Sequence, residues 1–225
     1  MGEKFRRVTI IDSHAMFAEL LAQSLDRRGY RCRVVIARPG TSPTSLLRTI
    51  LATSPELVVV GIDRWSGHEE QAAVHLSLAR SGQRILVVME TDGAIRRGEA
   101  FFGGASAVAC KSMPVNEFLG LARRTMQGVP AISRLERLRV VDLYRQQQHG
   151  RDAARGRLAS LSAQERIILR HLMAGRAVRE IAVLRVVSEQ TVRTQVKSVL
   201  GKLDVSSQCK AVAVAWDNGW EPAAA

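Results

Sequence analysis

The clearest arrangement of side chains able to do chemistry lies in residues 188–203, SEQTVRTQVKSVLGKL. At about 100° per residue, a helix here gathers Val192, Val196, Val199, Leu200 and Leu203 on one side and sets Gln190, Arg193, Thr194 and Lys197 roughly opposite. The first face packs. The second offers two cations and two hydrogen-bonding groups to an anion such as a phosphate backbone. Ser188 is the expected N-cap, its hydroxyl accepting from a free N–H of the first turn. Other chemistry is less well served. His14, His68, His75, His149 and His171 show neither metal-ligand spacing nor a nucleophile partner. Cys32, Cys110 and Cys209 are odd in number and far apart, as expected of reduced thiols rather than a disulfide or zinc framework. No enzymatic activity, metal or cofactor is expected.

The basic helix needs neighbours to hold it. Ser162 and Glu165 form a capping box that opens a helix from Ser162 to Ala174, with Ile168, Leu169 and Leu172 inward and Gly175 as the stop. A short helix is predicted over Val178 to Leu184. The corner Arg185-Val186-Val187 is short enough to force a sharp helix-to-helix turn, the geometry of a helix-turn-helix. Residues 206–216, SSQCKAVAVAW, supply a fourth helix to close the bundle.

Through LSAQERIILRHLMAG, VREIA, SEQTVRTQVKSVLGKLDV and AVAVAW, residues 161–216 resemble the four-helix DNA-binding domain of the LuxR/NarL family, over about a quarter of the chain. The resemblance implies that the third helix enters the major groove of double-stranded DNA. It implies base-edge or groove contact from Arg193, Thr194 and Lys197, and phosphate contact from Thr191 and Arg179. From the residues alone, Arg193 and Lys197 fit a solvated helix face as well, Arg179 could pair with Glu180 or Glu189, and Thr191 could reinforce the cap. Ala177 stands where the family commonly has a capping Ser or Thr, a loss of about 1 kcal/mol of helix stability. Asp204 and Gly201 replace a usual Gly and a usual basic residue.

Upstream, short β-branched runs (RVTIID, CRVVIA, LVVVGI, ILVVME, ASAVAC) alternate with helical segments at Ala15 to Arg28, Leu46 to Thr53, Gln71 to Ala79, Ile95 to Gly103 and Val115 to Met126. Five strands alternating with five helices predict an α/β, doubly wound parallel sheet, whose sites form at the carboxyl ends of the strands. This order resembles a response-regulator receiver domain. The resemblance implies a site holding Mg²⁺ on carboxylates, with an acceptor carboxylate, a hydroxyl and a Lys. Asp12 keeps the first acidic position, but Ser13 replaces the second, Gly61 stands at the acceptor and Met89 at the hydroxyl. Lys111 survives, with Pro114 after it. Asp12 and Lys111 can then neutralise each other, and Mg²⁺ would meet one carboxylate instead of three. The expectation is a degenerate pocket that neither binds Mg²⁺ tightly nor is phosphorylated. Asp63 is the alternative acceptor, although DRWSG reads as a loop. The less acidic pocket, with Met89 and Trp65 nearby, permits a small-molecule ligand. A homodimer is expected because two-fold pairing matches a palindromic operator, with Phe118, Leu119 and Leu121 beside Arg123 and Arg124 as its candidate surface, although the same apolar residues are also needed for the core.

The formal charge of +12 and pI near 10.9 favour polyanions. The cationic excess is five over residues 1–125, four over 126–160 and three over 161–225, so net charge does not locate the site. The 28 Arg against 5 Lys fit a GC-rich bacterial genome. The expected organisation is a receiver-like domain over 1–128, a helical and flexible linker over 129–158, and a LuxR-type helix-turn-helix domain over 159–221. In the linker, Leu135, Leu138, Val141 and Leu143 are the predicted buried stripe. HGRDAARGR, with Gly150 and Gly156, reads as a hinge whose Arg151, Arg155 and Arg157 are solvated or touch phosphate. MGEKFRRVTIID enters a strand pattern directly and no apolar run reaches spanning length, so a cytoplasmic protein is expected. Together these features predict a sequence-specific transcription regulator of the atypical response-regulator type. The alternatives are a conventional response regulator phosphorylated at Asp63 and a sigma-region-like protein associated with RNA polymerase.

Overall fold

The computed structural model describes residues 6–38, 41–62, 77–79 and 81–220. The chain divides into two compact units, Met1–Arg145 and Gln146–Ala225. Asp63, Trp65, His68 and His75 lie outside the described residues, and the helix expected over Gln71 to Ala79 is described only at 77–79, where it is helical.

In the first unit, β1 (Arg6–Asp12), β2 (Tyr30–Ile36), β3 (Leu57–Ile62), β4 (Ile85–Met89) and β5 (Ala107–Cys110) form a parallel sheet in the order β2-β1-β3-β4-β5. Helices α1 (Ala15–Asp26), α2 (Pro43–Leu51), α3 (Ala94–Phe102) and α4 (Val115–Met126) follow the strands. A parallel sheet covered on both faces needs apolar side chains on both, which explains the unbroken runs of Val, Ile and Leu. Val8, Ile10, Val59 and Val88 pack with α1 and α4, while Ile11, Val58, Val60, Val87 and Met89 pack with α2 and α3. Helix α2 starts at Pro43 rather than Leu46, because proline at the first helical position suits the fixed φ and gives up no hydrogen bond. This is the receiver-like α/β fold read from the sequence.

Phe118, Leu119 and Leu121 are buried at 5%, 7% and 5% exposure in the α1-side core. The dimer surface expected of them is corrected: these side chains complete the domain and none is available to a partner.

Helix α5 spans Arg134–Ala159, and the boundary between the two units falls inside it. Two expectations change here. The backbone is helical through Gly150 and Gly156, where a hinge was expected. The predicted stripe is also only partly realised: Leu135 and Leu138 are exposed at 78% and 56%, whereas Val141 packs against the core as expected, beside Val140, which is buried at 4%. The face that packs holds Arg137, Val140, Val141 and Tyr144, at helical spacing, with Arg145 exposed at its edge. Arg137 lies over the Phe101 ring at 4.9 Å, Phe102 and Tyr144 stack with centroids 5.5 Å apart, and Arg145 lies over Phe102 at 5.5 Å. Aromatic rings on α3 thus select a cationic and aromatic stripe over the leucines.

The second unit holds the end of α5 and helices α6 (Ala163–Met173), α7 (Val178–Arg185), α8 (Glu189–Leu203) and α9 (Gln208–Asp217). Leu158, Leu161, Ile168, Leu169, Ile181, Val192, Val196, Val199 and Leu203 form its core, as the helical periodicity implied. Among the described residues no helix is long and apolar enough to cross a membrane.

At Gly98, α3 lies close against α5. A Cβ there would lie 2.0 Å from the Val140 carbonyl oxygen and 2.8 Å from its carbon, so backbone itself would have to move. Gly98→Ala is therefore expected to destabilise the first unit by about 1–3 kcal/mol. Denaturant titration followed by amide exchange should show lost protection concentrated at residues 134–145; unchanged protection there would refute the close packing.

Candidate nucleic-acid interface and receiver-like pocket

Helix α8 is built as its sequence suggests. Ser188 caps it, its hydroxyl accepting from the Thr191 N–H at 3.1 Å. Val192, Val196, Val199 and Leu203 are buried, and Gln190, Thr191, Arg193, Thr194 and Lys197 are exposed together. Arg193 Nη2 lies 3.5 Å from Glu189 Oε2, a solvent-screened pair one turn apart that an approaching phosphate can displace at little cost. The Thr194 hydroxyl donates to the Gln190 carbonyl at 3.0 Å, which leaves its oxygen and methyl outward. Thr191 does join the cap, with its hydroxyl 2.8 Å from that of Ser188. Arg179, on α7, makes no ion pair among the described residues. Its two proposed partners are otherwise engaged, Glu180 accepting from the Ala177 N–H at 2.7 Å and Glu189 facing Arg193. That back-bond from Glu180 is the half of a capping box that an Ala at N-cap allows.

Three Schellman turns end α6, α7 and α8. Arg176 N–H reaches the His171 carbonyl at 3.1 Å, Val187 that of Ala182 at 3.0 Å, and Val205 that of Leu200 at 3.0 Å. The left-handed residue in each is Gly175 (φ 72°), Val186 (φ 53°) and Asp204 (φ 57°). Glycine takes this conformation freely and aspartate tolerates it, but a β-branched valine is strained. The strained residue sits at the corner of the helix-turn-helix, where Val187 must be turned back against α7.

Sequence reasoning missed what locks this unit together. Glu165, noted only as a cap, is buried at 7% exposure and reaches across to α8. Lys202 Nζ donates to it at 2.7 Å, the Ser198 hydroxyl at 2.8 Å and the Ser162 N–H at 2.7 Å. Arg185 ties the same helices from the other side, donating to Gln195 at 2.9 Å and to Gln164.

In the first unit, Asp12, Ser13, His14 and Lys111 converge at the carboxyl end of the sheet. Asp12 is fully buried, its Oδ1 accepting from the His14 N–H at 2.7 Å and its Oδ2 lying 3.3 Å from Lys111 Nζ. Lys111 also lies 4.8 Å over the Phe17 ring and 3.4 Å from His14 Nδ1. The one sequence signal for His14 is its position two residues after Asp12. Gly61 is on β3 beside Asp12. A Cβ added to it would lie 2.0 Å from Asp12 Oδ2 and 2.6 Å from Cγ, so the Asp12 carboxylate occupies the space an acceptor side chain would need. Met89 points into the α2/α3 core at 2% exposure. Among the described residues no three His, Cys, Asp or Glu side chains are grouped to hold a metal.

Residues 159–215 match the family model described as bacterial regulatory proteins, luxR family. The matched residues lie within the C-terminal unit. No curated protein matches the chain. Similar solved structures include response regulator ChrA of a heme-sensing two-component system, at 21% identity over 97% of this chain and 100% of that one with a TM-score of 0.48. Full-length FixJ from B. japonicum is 19% identical over 96% of this chain and 98% of that one, TM-score 0.46. The RcsB–DNA complex is 16% identical over 96% and 99%, TM-score 0.49.

Burial opposes ionisation of Glu165, but the hydrogen bonds from Lys202, Ser162 and Ser198 outweigh it and bring its carboxyl from 4.5 down to about 2. A carboxyl lowered on folding stabilises fully above its unfolded value and loses that contribution as the pH falls through the folded one, here between about pH 4.5 and pH 2, on the order of 2–3 kcal/mol. Comparing wild type with Glu165→Gln by denaturant unfolding should show a gap in the C-terminal unit at pH 7 that closes as acid is added. A gap independent of pH would show that packing, not charge, is what Glu165 contributes.

Proposed function

We propose that this chain is a sequence-specific DNA-binding transcription regulator whose receiver-like domain works without aspartyl phosphorylation. The DNA-binding half rests on the exposed face of α8, which lies inside the matched luxR-family domain and is presented by a capped, well-packed helix. Arg193, Thr194 and Lys197 are assigned to the major groove, Thr191 and Arg179 to flanking phosphates. The RcsB structure with DNA is a precedent for a protein of this architecture on a duplex.

The observation that carries the second half is the Asp12 carboxylate in the place of a Gly61 Cβ. The receiver resemblance puts the phosphoryl acceptor at that strand position, and there the position has no side chain and is closed by a neighbour. Lys111, which would pair with a phosphoryl group, lies 3.3 Å from Asp12 instead. The regulator is proposed to act as a homodimer on a two-fold operator, its control coming from a small-molecule ligand or from its own concentration. Conventional phosphorylation at Asp63 is the competing reading.

Sites selected from the host genome with untreated protein give the duplex for both tests. Affinity for the best site is expected to be the same with and without Mg²⁺ and beryllofluoride; a clear gain would assign an acceptor, Asp63 first. Lys197→Ala is expected to weaken specific binding by about 1–3 kcal/mol if it reads a base, or to lower the salt slope by about 1 if it holds a phosphate. No change in either would remove Lys197 from the interface.

A further inference from the structure

The receiver-like unit carries a second cationic feature, far along the strands from the Asp12 pocket. In the parallel register Arg7 on β1 is the partner of Arg31 on β2, and Thr9 is the partner of Arg33. Side chains alternate along a strand, and Ile11 and Val35 further along both pack toward α2. Arg7, Thr9, Arg31 and Arg33 therefore share that face, just beyond the last turn of α2. Neighbouring strands are about 4.8 Å apart, so three guanidinium groups start from adjacent points on an edge of the sheet. Like charges side by side are unfavourable in a sheet.

Among the described residues no carboxylate neutralises them. Arg7, Arg31 and Arg33 make no ion pair among the described residues. Glu56 lies beside Arg7 across β1 and β3, but its N–H bonds the Arg7 carbonyl and its carboxylate forms no ion pair with the guanidinium. Asp26 is on the α1 side, accepting from the Cys32 N–H at 3.0 Å. Arg7 Nε instead donates to the Ser54 carbonyl at 2.9 Å. Ser54 has a φ of 45°, a left-handed conformation that costs a non-glycine residue energy and aims this carbonyl at Arg7. The last α2 carbonyls do not oppose an anion strongly, because those of Ile50 and Leu51 accept from the N–H groups of Thr53 and Ser54. Thr53 and Thr9 close the floor, their hydroxyls 2.7 Å apart. Arg7, Thr9, Arg31, Arg33 and Thr53 are among the residues lining a concavity of about 460 Å³.

We propose that this concavity binds a small anion carrying two or more phosphate groups, with Arg7, Arg31 and Arg33 as its ligands. Guanidinium is the side chain best matched to phosphate oxygens, through paired N–H donors. Three of them on one concavity match the charge of a di- or triphosphate. Arg7 is already oriented by Ser54, which lowers the ordering cost of binding. The volume is within the range of small-ligand sites, whereas a DNA strand calls for cations spread along an extended track. The site gives the receiver-like unit an anionic input that does not use the Asp12 pocket, and it stands whether or not the DNA-binding reading holds.

The test is calorimetric titration of the full chain with inorganic tripolyphosphate and with metal-free ATP. Saturable binding is expected, weakened by about tenfold or more in Arg31→Ala/Arg33→Ala, as loss of charged hydrogen bonds implies, and unchanged in Arg193→Ala/Lys197→Ala. Arg31→Lys/Arg33→Lys, which keeps charge and folding but not the paired donors, is expected to fall between. No saturable binding would leave the arginines as a solvated charged edge and overturn the proposal. Binding lost in the α8 variant and kept in the β2 variant would place the anion on the recognition helix, again against it. If the β2 variant lowers duplex affinity but not tripolyphosphate affinity, the groove is a DNA contact and the small-anion assignment fails.

Discussion

A parallel sheet puts neighbouring side chains of adjacent strands on the same face, and at one point of this sheet two positions compete for one volume. Asp12 and Gly61 are such neighbours. With no side chain at Gly61, the Asp12 carboxylate settles over it, and in that position it is fully buried. A buried carboxylate must be compensated, and Lys111 at 3.3 Å and the His14 N–H at 2.7 Å do so. Lys111 is in turn fixed against Phe17. The glycine is therefore more than a deletion of chemistry: it allows the remaining charges to close on each other, and restoring a side chain at 61 would first have to displace Asp12.

The C-terminal unit answers the same physical demand differently. Glu165 is also a buried carboxylate held by an ammonium group, yet it joins two helices rather than the ends of strands. Its bonds to Ser198 and Lys202 connect the start of α6 to α8, so the exposed face of α8 is referred to the scaffold by a charged contact as well as by apolar packing. The strain of Val186 sits on the other side of the same helix. A left-handed valine persists because Val187 N–H closes the turn on Ala182 and Ser188 caps the next helix immediately. The corner is over-determined by its two ends, which is what a fixed angle between α7 and α8 requires.

Much of this was legible in the sequence, and the reasons are specific. Apolar runs of period one in strands and period 3.6 in helices report burial directly, so the five strands, the core of α8 and the caps at Ser162 and Ser188 could be read. Contacts between distant residues could not. Glu165 meets partners 33 and 37 residues away, and no local spacing encodes that. Gly98 carries no local signal, and only the position of Val140 gives it a purpose. Phe118, Leu119 and Leu121 suit a dimer face or a core equally well by pattern, and the geometry assigns them to the core. In α5 two stripes were available, and the rings of Phe101 and Phe102 on the facing helix selected the one the leucine pattern did not favour.

On the reading proposed above, the residue at 89 matters as much as the one at 61. A receiver that senses phosphate needs a hydroxyl that can turn toward the pocket and draw the neighbouring structure with it. Met89 is instead buried in the same apolar cluster as Phe101 and Val140. Phe101 belongs to α3, and Val140 belongs to the part of α5 that closes on Gly98. The end of β4, α3 and the first turns of α5 are thus one packed body, and close-packed interiors resist the small rearrangements by which a switch propagates. A signal reaching α5 from this unit has to alter that packing from outside the Asp12 pocket, since inside it the volume at Gly61 is filled and the side chain at 89 has nothing to offer an anion.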